Sequence, residues 1–370
     1  MTSPTRDSVS TNDTVTAAGP AEVPGLPDPA AAGGAGPRKA APAARSRPRI
    51  LVHVAERYSL LGLLIAIAVF FSLYPASAGS FPTTANLSVL TGNQAVIMCL
   101  AAALLLPLIA GHFDFSVGAT TAISSVMCAA LQSSGGVGPM VYIPASVALG
   151  TTIGLVNGLM VSRLRMNSFV STLGMATLLG GAIQWYTKGQ VITAGIDPGL
   201  VAFGSGTWLG LPRVVFVVLA LLLVIWYVMS QTPFGRSLYA IGSNGRAAEL
   251  VGIPVRRYSM LAFVGSGAIA GLAGVLLTAR TGGATADNGT AMLFPALAAV
   301  FLGATAVQPG KFNVWGTVIG VLLVAASVSG LTLAGASDWV NPVFNGAALL
   351  VAVGLSSFLK NRHATGHGRR

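Results

Sequence analysis

The one acidic residue inside an apolar region of this chain is Asp114, in the segment Gly111–Gly118, which reads GHFDFSVG. A carboxylate near membrane depth costs about 2.5–3.5 kcal/mol on insertion scales, so it needs protein partners or water. The flanking glycines predict an interrupted helix, whose free backbone groups need the same surroundings. Two interpretations follow. Asp114, with His112 and Ser116, lines a solute path, or Asp114 caps the next helix by accepting backbone N–H bonds.

Uncharged amides form a second group of candidate residues. The amides inside apolar spans are Asn93, Gln94, Asn157, Gln184 and Asn345. Each amide both donates and accepts hydrogen bonds, which suits the hydroxyls of a sugar. Amides serve equally well in hydrogen bonds between helices, so both roles stay open. We expect Asn93 and Gln94 to lie on a solute path together with the segment around Asp114.

The sequence shows no machinery for hydrolysis, nucleotide binding or metal binding. It has no G-x-x-x-x-G-K-[ST] motif, no cluster of His and Glu, and only four histidines. The two cysteines, Cys99 and Cys128, lie in apolar spans, which fits small buried side chains rather than a disulfide framework. We therefore expect no catalytic residue, no metal site and no cofactor in this chain. If ATP is used, another chain must bind it.

Composition places most of the chain in a lipid bilayer. Hydrophobic residues make up 53% of its 370 residues, and charged residues make up only 8%. A soluble domain carries about a quarter of its residues as charges. The net charge of +11 does not indicate nucleic acid, because basic residues cluster just before the first apolar span and after the last. That distribution is typical of a bacterial inner-membrane protein in contact with membrane lipid.

Apolar runs of spanning length predict an all-α integral membrane protein with about ten transmembrane helices. The predicted spans are 58–77, 88–110, 115–132, 140–162, 168–187, 213–230, 258–279, 293–307, 312–334 and 340–359. With this count, most basic residues of the connecting loops fall on the side of the basic termini. We therefore expect both termini in the cytoplasm. Nine or eleven spans are the alternatives.

The spans divide the chain into three predicted parts. Residues 1–50, rich in Ala, Pro, Gly, Ser and Thr, are predicted to be a disordered cytoplasmic tail. Residues 51–360 are predicted to form the transmembrane domain, with a cytoplasmic loop at 231–257, and residues 361–370 a second cytoplasmic tail. The first apolar run begins near Tyr58, too late for a signal peptide, which predicts a retained first helix.

Glycines recur at four-residue spacing within several spans. The groups are Gly150, Gly154 and Gly158; Gly267 and Gly271; and Gly316 and Gly320. Small residues at this spacing let helix backbones approach closely in lipid, where packing drives association. The glycines therefore predict close helix–helix contacts.

A polar, basic segment, Thr232–Ile253, separates two of the apolar spans and reads TPFGRSLYAIGSNGRAAELVGI. It is too polar to cross a bilayer. Its core, Gly245–Ile253, is predicted to form a short helix on a cytoplasmic loop. A membrane protein that displays such a helix is expected to pass force or information to a soluble partner.

Four ordered stretches of the sequence resemble the permease subunits of sugar-type ATP-binding-cassette importers, the ribose, xylose and arabinose group. They are Thr232–Ile253; GHFDFSVGA at 111–119, similar to that family's G-G-I-D-L-S-V-G; Asn167–Ile192; and Ala298–Phe358, with AAVFLGAT and NVWGT. The resemblance covers the chain from about residue 58 to about residue 360.

The resemblance implies a subunit that pairs with a second copy and receives solute from an extracytoplasmic binding protein. It also implies docking of the loop helix on a cytoplasmic ATPase, which binds the ATP. The residues that match the loop motif, and are expected to couple to the ATPase, are Gly235, Arg236, Gly242, Ala247, Glu249 and Gly252. The predicted apolar contact face is Ala247, Ala248, Leu250 and Val251, with Arg246 and Glu249 as its polar rim. For Arg256 and Arg257, contact with anionic lipid is the alternative.

Two departures from the family pattern leave the solute open. His112 stands where the family has the second glycine of its Gly-Gly pair, and Leu293-Phe294-Pro295 stands where many members carry acidic residues. If those acids help to form the path, the solute or its contacts differ here. A polyol, a modified sugar and a nucleoside-like compound are therefore alternatives to a simple monosaccharide.

The sequence thus predicts a membrane-spanning permease subunit of an ATP-driven importer for a monosaccharide or similar polar solute. A branched-chain amino acid permease is the alternative within the same energy class. An ion-gradient secondary transporter is a further alternative, although only Asp114 offers a carboxylate well inside the spans for proton coupling. A passive pore or structural membrane protein is the last alternative.

Overall fold

Helices dominate the structure, a computed structural model that describes residues 48–285 and 287–366. The helices are α1 Pro48–Leu73, α2 Thr84–Ile109, α3 Val117–Gly135, α4 Pro139–Ser162, α5 Ser168–Thr187, α6 Pro198–Ser205, α7 Arg213–Gln231, α8 Pro233–Ser243, α9 Gly245–Leu250, α10 Val255–Thr281, α11 Asn288–Ala291, α12 Leu293–Gly303, α13 Val314–Leu333 and α14 Val340–Gly366. In the described residues, β-structure is limited to an antiparallel pair, β1 Thr207–Trp208 and β2 Leu211–Pro212, and one isolated bridge. The predicted all-α class is confirmed.

Each predicted span overlaps one helix, although the helices differ in how well they suit a bilayer. Of the described helices, α2, α4, α7, α10 and α13 are both long and apolar enough to cross a membrane. Shorter apolar stretches occupy Arg57–Leu73, Gly289–Gly303 and Val340–Gly354. The helices α3 and α5 have sufficient length but are more polar, with buried Ser and Thr side chains. The chain is therefore an all-α membrane protein, and the span count and the side of each terminus stay predictions.

The predicted domain boundaries fall within helices. Helix α1 begins at Pro48, before the predicted boundary at residue 51, and α14 continues to Gly366, past the boundary at residue 360. Most of the predicted N-terminal tail, residues 1–47, and the last residues, 367–370, lie outside the described residues.

Helix α10 packs along α4 with almost no side-chain layer between the backbones. A Cβ added to Gly150 or Gly154 would overlap the carbonyl oxygens of Gly267 and Phe263, respectively. A Cβ on Gly158 would come within 3.0 Å of the Met260 oxygen. The glycine spacing therefore predicted this contact correctly. The same holds for α13, where Gly316 and Gly320 pack against Gly303 and Ala299 of α12.

Helix α2 forms the centre of the apolar core. Every residue from 98 to 109 is buried, because α2 is surrounded by α7, α10, α12 and α13. A helix that is apolar on all sides is suited to such a position, since it has no face to present to water. The end of α2 at Ile109 is therefore fixed firmly, and the candidate segment 111–118 starts from this fixed point.

The segment after α10 turns back into the bundle. Gly282, at a φ of +65°, ends α10, and a bridge joins Ala284 to Ile192. Gly289 of α11 then packs against the backbone of Gly118 and Ala122 in α3. Helix α12 ends at Gly303, earlier than predicted, and its 11 residues give about 16 Å, roughly half of a hydrocarbon core.

The polar loop holds two helices where the sequence predicted one. Helix α8 precedes the predicted short helix α9, and Asn244 caps α9 by accepting from the Ala247 N–H at 3.0 Å. Helix α8 starts with Pro233 in its first turn, a position that tolerates proline. It buries Leu238 and Ile241 in the core. Its glycines obscured this helix in the sequence.

Candidate functional site

Asp114 is buried between three helices and is only 3% exposed. Its Oδ1 accepts from the N–H of Ser116 at 3.1 Å and from the Ser116 hydroxyl at 2.6 Å. Its Oδ2 accepts from the Ser266 hydroxyl of α10 at 3.1 Å. Asn157 of α4 donates from Nδ2 to the Ser116 Oγ at 2.7 Å. We call Asp114, Ser116, Asn157 and Ser266 the inner cluster.

The geometry corrects the predicted capping role of Asp114. Ser116 occupies the N-cap position of α3 and makes no side-chain cap bond. Asp114 instead accepts from the Ser116 N–H, which makes a local turn before the helix begins. In this conformation Asp114 and Ser116 are both sealed within protein, at 3% and 1% exposure. Their place on a solute path stays a prediction.

The inner cluster is polar but not neutralised by a cation. The three hydrogen bonds to the carboxylate replace those of water, which lowers the cost of burial. Among the described residues no arginine, lysine or histidine forms an ion pair with Asp114. Among the described side chains, Asn157 Oδ1 on α4 and, farther along α3, Thr121 Oγ1 and Ser124 Oγ are buried and accept no hydrogen bond within the chain. The three-helix contact is therefore polar and incompletely satisfied.

Helix α5 holds the stretch before α3, residues 111–116, in place. The N–H of Phe113 donates to the Ser168 Oγ at 3.2 Å, and the N–H of Phe115 donates to the Thr172 Oγ1 at 3.0 Å. Both hydroxyls lie in the first turns of α5, so this stretch follows the position of that helix.

His112 fastens the same stretch to α10. Its Nε2 lies 3.2 Å from the Ser259 hydroxyl, and its ring lies 5.9 Å from the ring of Phe263. The departure from the family's glycine pair thus supplies an added contact to α10.

Aromatic rings surround this stretch, and the sequence reading did not single them out. The contacts run from Phe169 to Phe115, Phe113 and Phe301, with ring centroids 5.0 to 6.3 Å apart. Phe113 is 38% exposed and Phe169 is 47% exposed. The sequence could have identified these rings, because the family motif has Ile and Leu where this chain has Phe113 and Phe115. Two exposed rings, Phe113 and Phe169, and the buried ring of Phe301 therefore lie along the segment around Asp114.

Asn93 and Gln94 lie far from the inner cluster. Asn93 is roughly 24 Å before the end of α2 at Ile109, at 1.5 Å per residue. Its Oδ1 accepts from the Arg280 Nη2 at 2.9 Å, and the same guanidinium donates to the Gly204 oxygen at 3.0 Å. Asn93 is exposed and Gln94 is half-buried. The structure therefore does not bring the five predicted path residues into one site.

Two of the predicted coupling residues are packing residues of α8. A Cβ on Gly242 would overlap the carbonyl oxygen of Ile109, and a Cβ on Gly235 would overlap that of Met229. These glycines let α8 lie directly on the ends of α2 and α7. Arg236, in contrast, is exposed.

A tyrosine also fixes α8 to the bundle. The Tyr239 hydroxyl donates to the Phe312 oxygen at 2.8 Å. Burial raises the pKa of Tyr239 above its ordinary value, so the phenol keeps its proton, and with it this bond, at higher pH than an exposed tyrosine would. Helix α8 is therefore attached rigidly, through the end of α2 and the segment before α13.

Helix α9 exposes three of the four residues predicted for its apolar contact face, and Ala248 is the exception. Ala247 and Glu249 are exposed, but Ala248 is 3% exposed and packs inward, so it does not belong to an outward contact face. Leu250 and Val251 are 89% and 76% exposed. The outward apolar surface is thus shifted to the end of the helix.

Gly252 ends this turn in a left-handed conformation. Its φ is +85°, and its N–H donates to the Glu249 oxygen at 3.0 Å. Only glycine adopts this conformation without strain. The residue therefore sets the direction in which Leu250 and Val251 project.

The fold and these two regions define a class of protein. It is an integral membrane protein with a sealed polar cluster between its helices and a helix pair with an exposed apolar tip. Among the described residues, no group of three or more His, Cys, Asp or Glu could hold a metal ion.

Comparisons with known proteins place the chain within this class. A family described as "Branched-chain amino acid transport system / permease component" matches residues 86–353, well over half of the chain. The chain belongs to this family and is a membrane component of a transport system. No solved structure is significantly similar to it.

Curated relatives agree with the family. The ribose import permease protein of Escherichia coli strain K12 is 33% identical over 301 residues, covering 80% of this chain and 92% of the relative. The ribose import permease protein of Bacillus subtilis strain 168 is 34% identical over 294 residues, with 79% and 90% covered. The galactofuranose transporter permease protein of E. coli K12 is 34% identical over 259 residues, with 70% and 75% covered. The suspected relationship to sugar-type permeases is confirmed.

Proposed function

We propose that this chain is the membrane-spanning permease subunit of an ATP-binding-cassette importer. It carries a monosaccharide or similar polar solute into the cytoplasm, and a separate ATPase binds and hydrolyses the ATP. The observation that carries the proposal is the helix pair α8–α9. One helix is locked to the bundle by Gly242 and Tyr239, and the other exposes Leu250 and Val251. Names of relatives, which include ribose and galactofuranose permeases, support the solute class.

The contacts suggest how the ATPase acts on the membrane domain. Helix α8 touches Ile109 through Gly242, and Ile109 is followed directly by the segment that carries Asp114. A shift of α8 therefore changes the position of the residues that join α3, α4 and α10. ATP binding and hydrolysis drive transport only if they favour one arrangement of these helices over the other.

The proposal includes a specific assembly and topology. The permease pairs with a second copy in the bacterial inner membrane and takes solute from an extracytoplasmic binding protein. About ten helices cross the bilayer, and both termini lie in the cytoplasm. In a chain with Cys99 and Cys128 replaced by alanine, single cysteines at Ser59 and Ser337, labelled with a membrane-impermeant reagent, test the orientation of α1 and of the segment before α14.

Reconstituted transport tests the function. The chain, its cognate ATPase and its cognate binding protein are placed in proteoliposomes, and uptake of ribose and other monosaccharides is measured with and without ATP. Glu249→Ala and Gly252→Val are expected to uncouple uptake from ATP or to loosen the ATPase, with insertion intact. Unchanged uptake and unchanged co-purification of the ATPase in both variants contradict the docking role.

A branched-chain amino acid permease is the second candidate, because the family description names that solute. Isothermal titration of the cognate binding protein with ribose and with leucine separates the two candidates. Gradient-driven uptake by this chain alone, without the ATPase, would instead establish a secondary transporter.

A further inference from the structure

A basic crevice of about 550 Å³ lies beside α9, between two segments far apart in sequence. Arg163, just after α4, lines one side, and Glu249 and residues 252–257 line the other. Its charged residues are Arg163, Arg256, Arg257 and Glu249, all exposed. In the part of the chain that the structure describes, none of these arginines forms an ion pair with a carboxylate. The crevice therefore carries an excess of positive charge that the chain itself does not neutralise.

Two of these arginines do not stabilise the helix in which they lie. Arg256 and Arg257 lie in the first turn of α10, where the helix dipole disfavours cations. They gain no compensating acidic residue in that turn. The first turn of α10 therefore supplies no anionic partner for these two cations, and an external anionic group would supply one.

Exposed apolar side chains lie next to the crevice. Leu250 and Val251 follow Glu249 directly, and Leu164, which follows Arg163, is 69% exposed. The turn at Arg165 adopts a positive φ of 55°, and the N–H of Met166 closes it on the Met160 oxygen at 3.1 Å. The turn that carries Leu164 therefore has a defined shape. Apolar tips beside unpaired charge are typical of a surface that binds another protein.

We propose that Arg163, Leu164 and residues 249–257 form one composite docking surface for the ATPase. The matching ATPase surface carries acidic groups opposite the three arginines, a basic group opposite Glu249, and an apolar pocket that receives Leu250 and Val251. This inference rests on the proposed function and extends it, because sequence reasoning placed docking on the 231–257 loop alone. An anionic lipid surface would pair with the arginines but would repel Glu249, whereas a protein surface with separate charges of both signs pairs with all four groups.

The composite surface provides a second chain of contacts through which a movement of the ATPase can reach the inner cluster. Arg163 and Leu164 lie directly before α5, whose Ser168 and Thr172 bind the backbone of Phe113 and Phe115. Movement of this turn therefore shifts the Asp114 stretch through α5, while movement of α9 shifts it through α8 and α2.

A binding experiment tests the surface. The full chain is held in phosphatidylcholine nanodiscs, and the affinity of its cognate ATPase is measured at several salt concentrations. Arg163→Glu and Arg257→Glu are each expected to weaken binding about tenfold or more, with the loss largest at low salt. Lys311→Glu is the matched control, because Lys311 is exposed, is predicted to lie on the same side and does not line the crevice. It is expected to leave the affinity unchanged.

Each outcome has a defined meaning. If Leu250→Ser weakens binding but Arg163→Glu and the milder Arg163→Gln do not, the composite surface is wrong and the α9 docking role stands. If Arg163→Glu keeps the ATPase but loses binding to phosphatidylglycerol vesicles, the crevice is a lipid site and the inference is overturned. If the unaltered chain binds no ATPase, the proposed function itself fails. Elution as a single species in size-exclusion chromatography confirms that each variant is folded.

Discussion

The inner cluster and the composite docking surface use similar polar residues in opposite ways. In the inner cluster, one carboxylate accepts three hydrogen bonds and is 3% exposed. On the docking surface, three arginines and Glu249 line an open crevice without ion pairs among the described residues, beside a leucine that is 89% exposed. The first region joins helices of this chain, and the second is suited to join a different chain.

This difference separates stability from binding. A buried polar group that loses its partners is costly, since neither water nor protein replaces the lost bonds. An exposed side chain on a surface can be changed at little cost to folding, because its environment is already water. Substitutions in the inner cluster should therefore lower folding stability, whereas substitutions on the docking surface should weaken ATPase binding.

The largest effect is expected at the glycine contact that supports the inner cluster. Gly154→Leu places a branched side chain where even a Cβ would overlap the Phe263 oxygen. Separation of α4 from α10 is expected to cost about 3 kcal/mol and to abolish recovery of folded protein in detergent. The yield of monodisperse protein by size-exclusion chromatography measures this.

Gly62→Leu is the control for that variant. A Cβ at Gly62 of α1 meets no atom within 4 Å, so the added side chain has open space. Normal yield is expected. Equal yields for the two variants would show that α4 and α10 are not packed as closely as the structure has them.

An intermediate effect is expected within the inner cluster. Asp114→Ala removes the acceptor for three buried donors and is expected to lower the free energy of unfolding by about 2–3 kcal/mol. Asp114→Asn keeps one oxygen acceptor and removes an unpaired buried charge, so its loss should be smaller. Thermal unfolding in detergent micelles gives both values, with the exposed Asp338→Ala as the control. Identical midpoints for all three variants would refute the structural role of the carboxylate.

The smallest effect on folding, with a clear effect on binding, is expected at α9. Leu250→Ser should leave the unfolding midpoint unchanged and weaken ATPase binding by about tenfold, equivalent to about 1.4 kcal/mol. Ala248→Leu, two residues earlier, should instead lower the stability of the isolated permease. It overfills a buried position and lowers stability by about 1–3 kcal/mol. If Leu250→Ser lowers stability as much as Ala248→Leu, α9 is buried in the isolated permease and is not a docking element.

Much of the fold followed from local pattern. Uninterrupted apolar runs cannot be accommodated outside a bilayer, so each predicted span overlaps a helix. Glycine spacing also predicted the α4–α10 and α12–α13 contacts, because small residues have few other uses along a membrane helix. Helix α8 was missed, since Pro233, Gly235 and Gly242 are common breakers and only contact with α2 and α7 shows why they are tolerated here.

The candidate site was less accessible to prediction. The sequence identified Asp114 as unusual, but the Ser116, Ser266 and Asn157 contacts join residues up to 152 positions apart. Asn93 and Gln94 were grouped with Asp114 by residue type, and the length of α2 keeps them apart. Ala248 and Leu250 were assigned to one apolar face, although the inward and outward directions depend on how α9 rests on the bundle.

By itself, the sequence determined that this protein lies in a membrane, belongs to a permease family and displays a polar coupling segment between two apolar spans. These properties depend on composition, on short motifs and on hydrophobic length, all of which are local. Only the tertiary structure decided which glycines pack, which donors meet Asp114 and that Arg163 lies beside Glu249. Those facts depend on contacts between distant segments, and in lipid such contacts are selected by close backbone packing and polar pairing rather than by hydrophobicity.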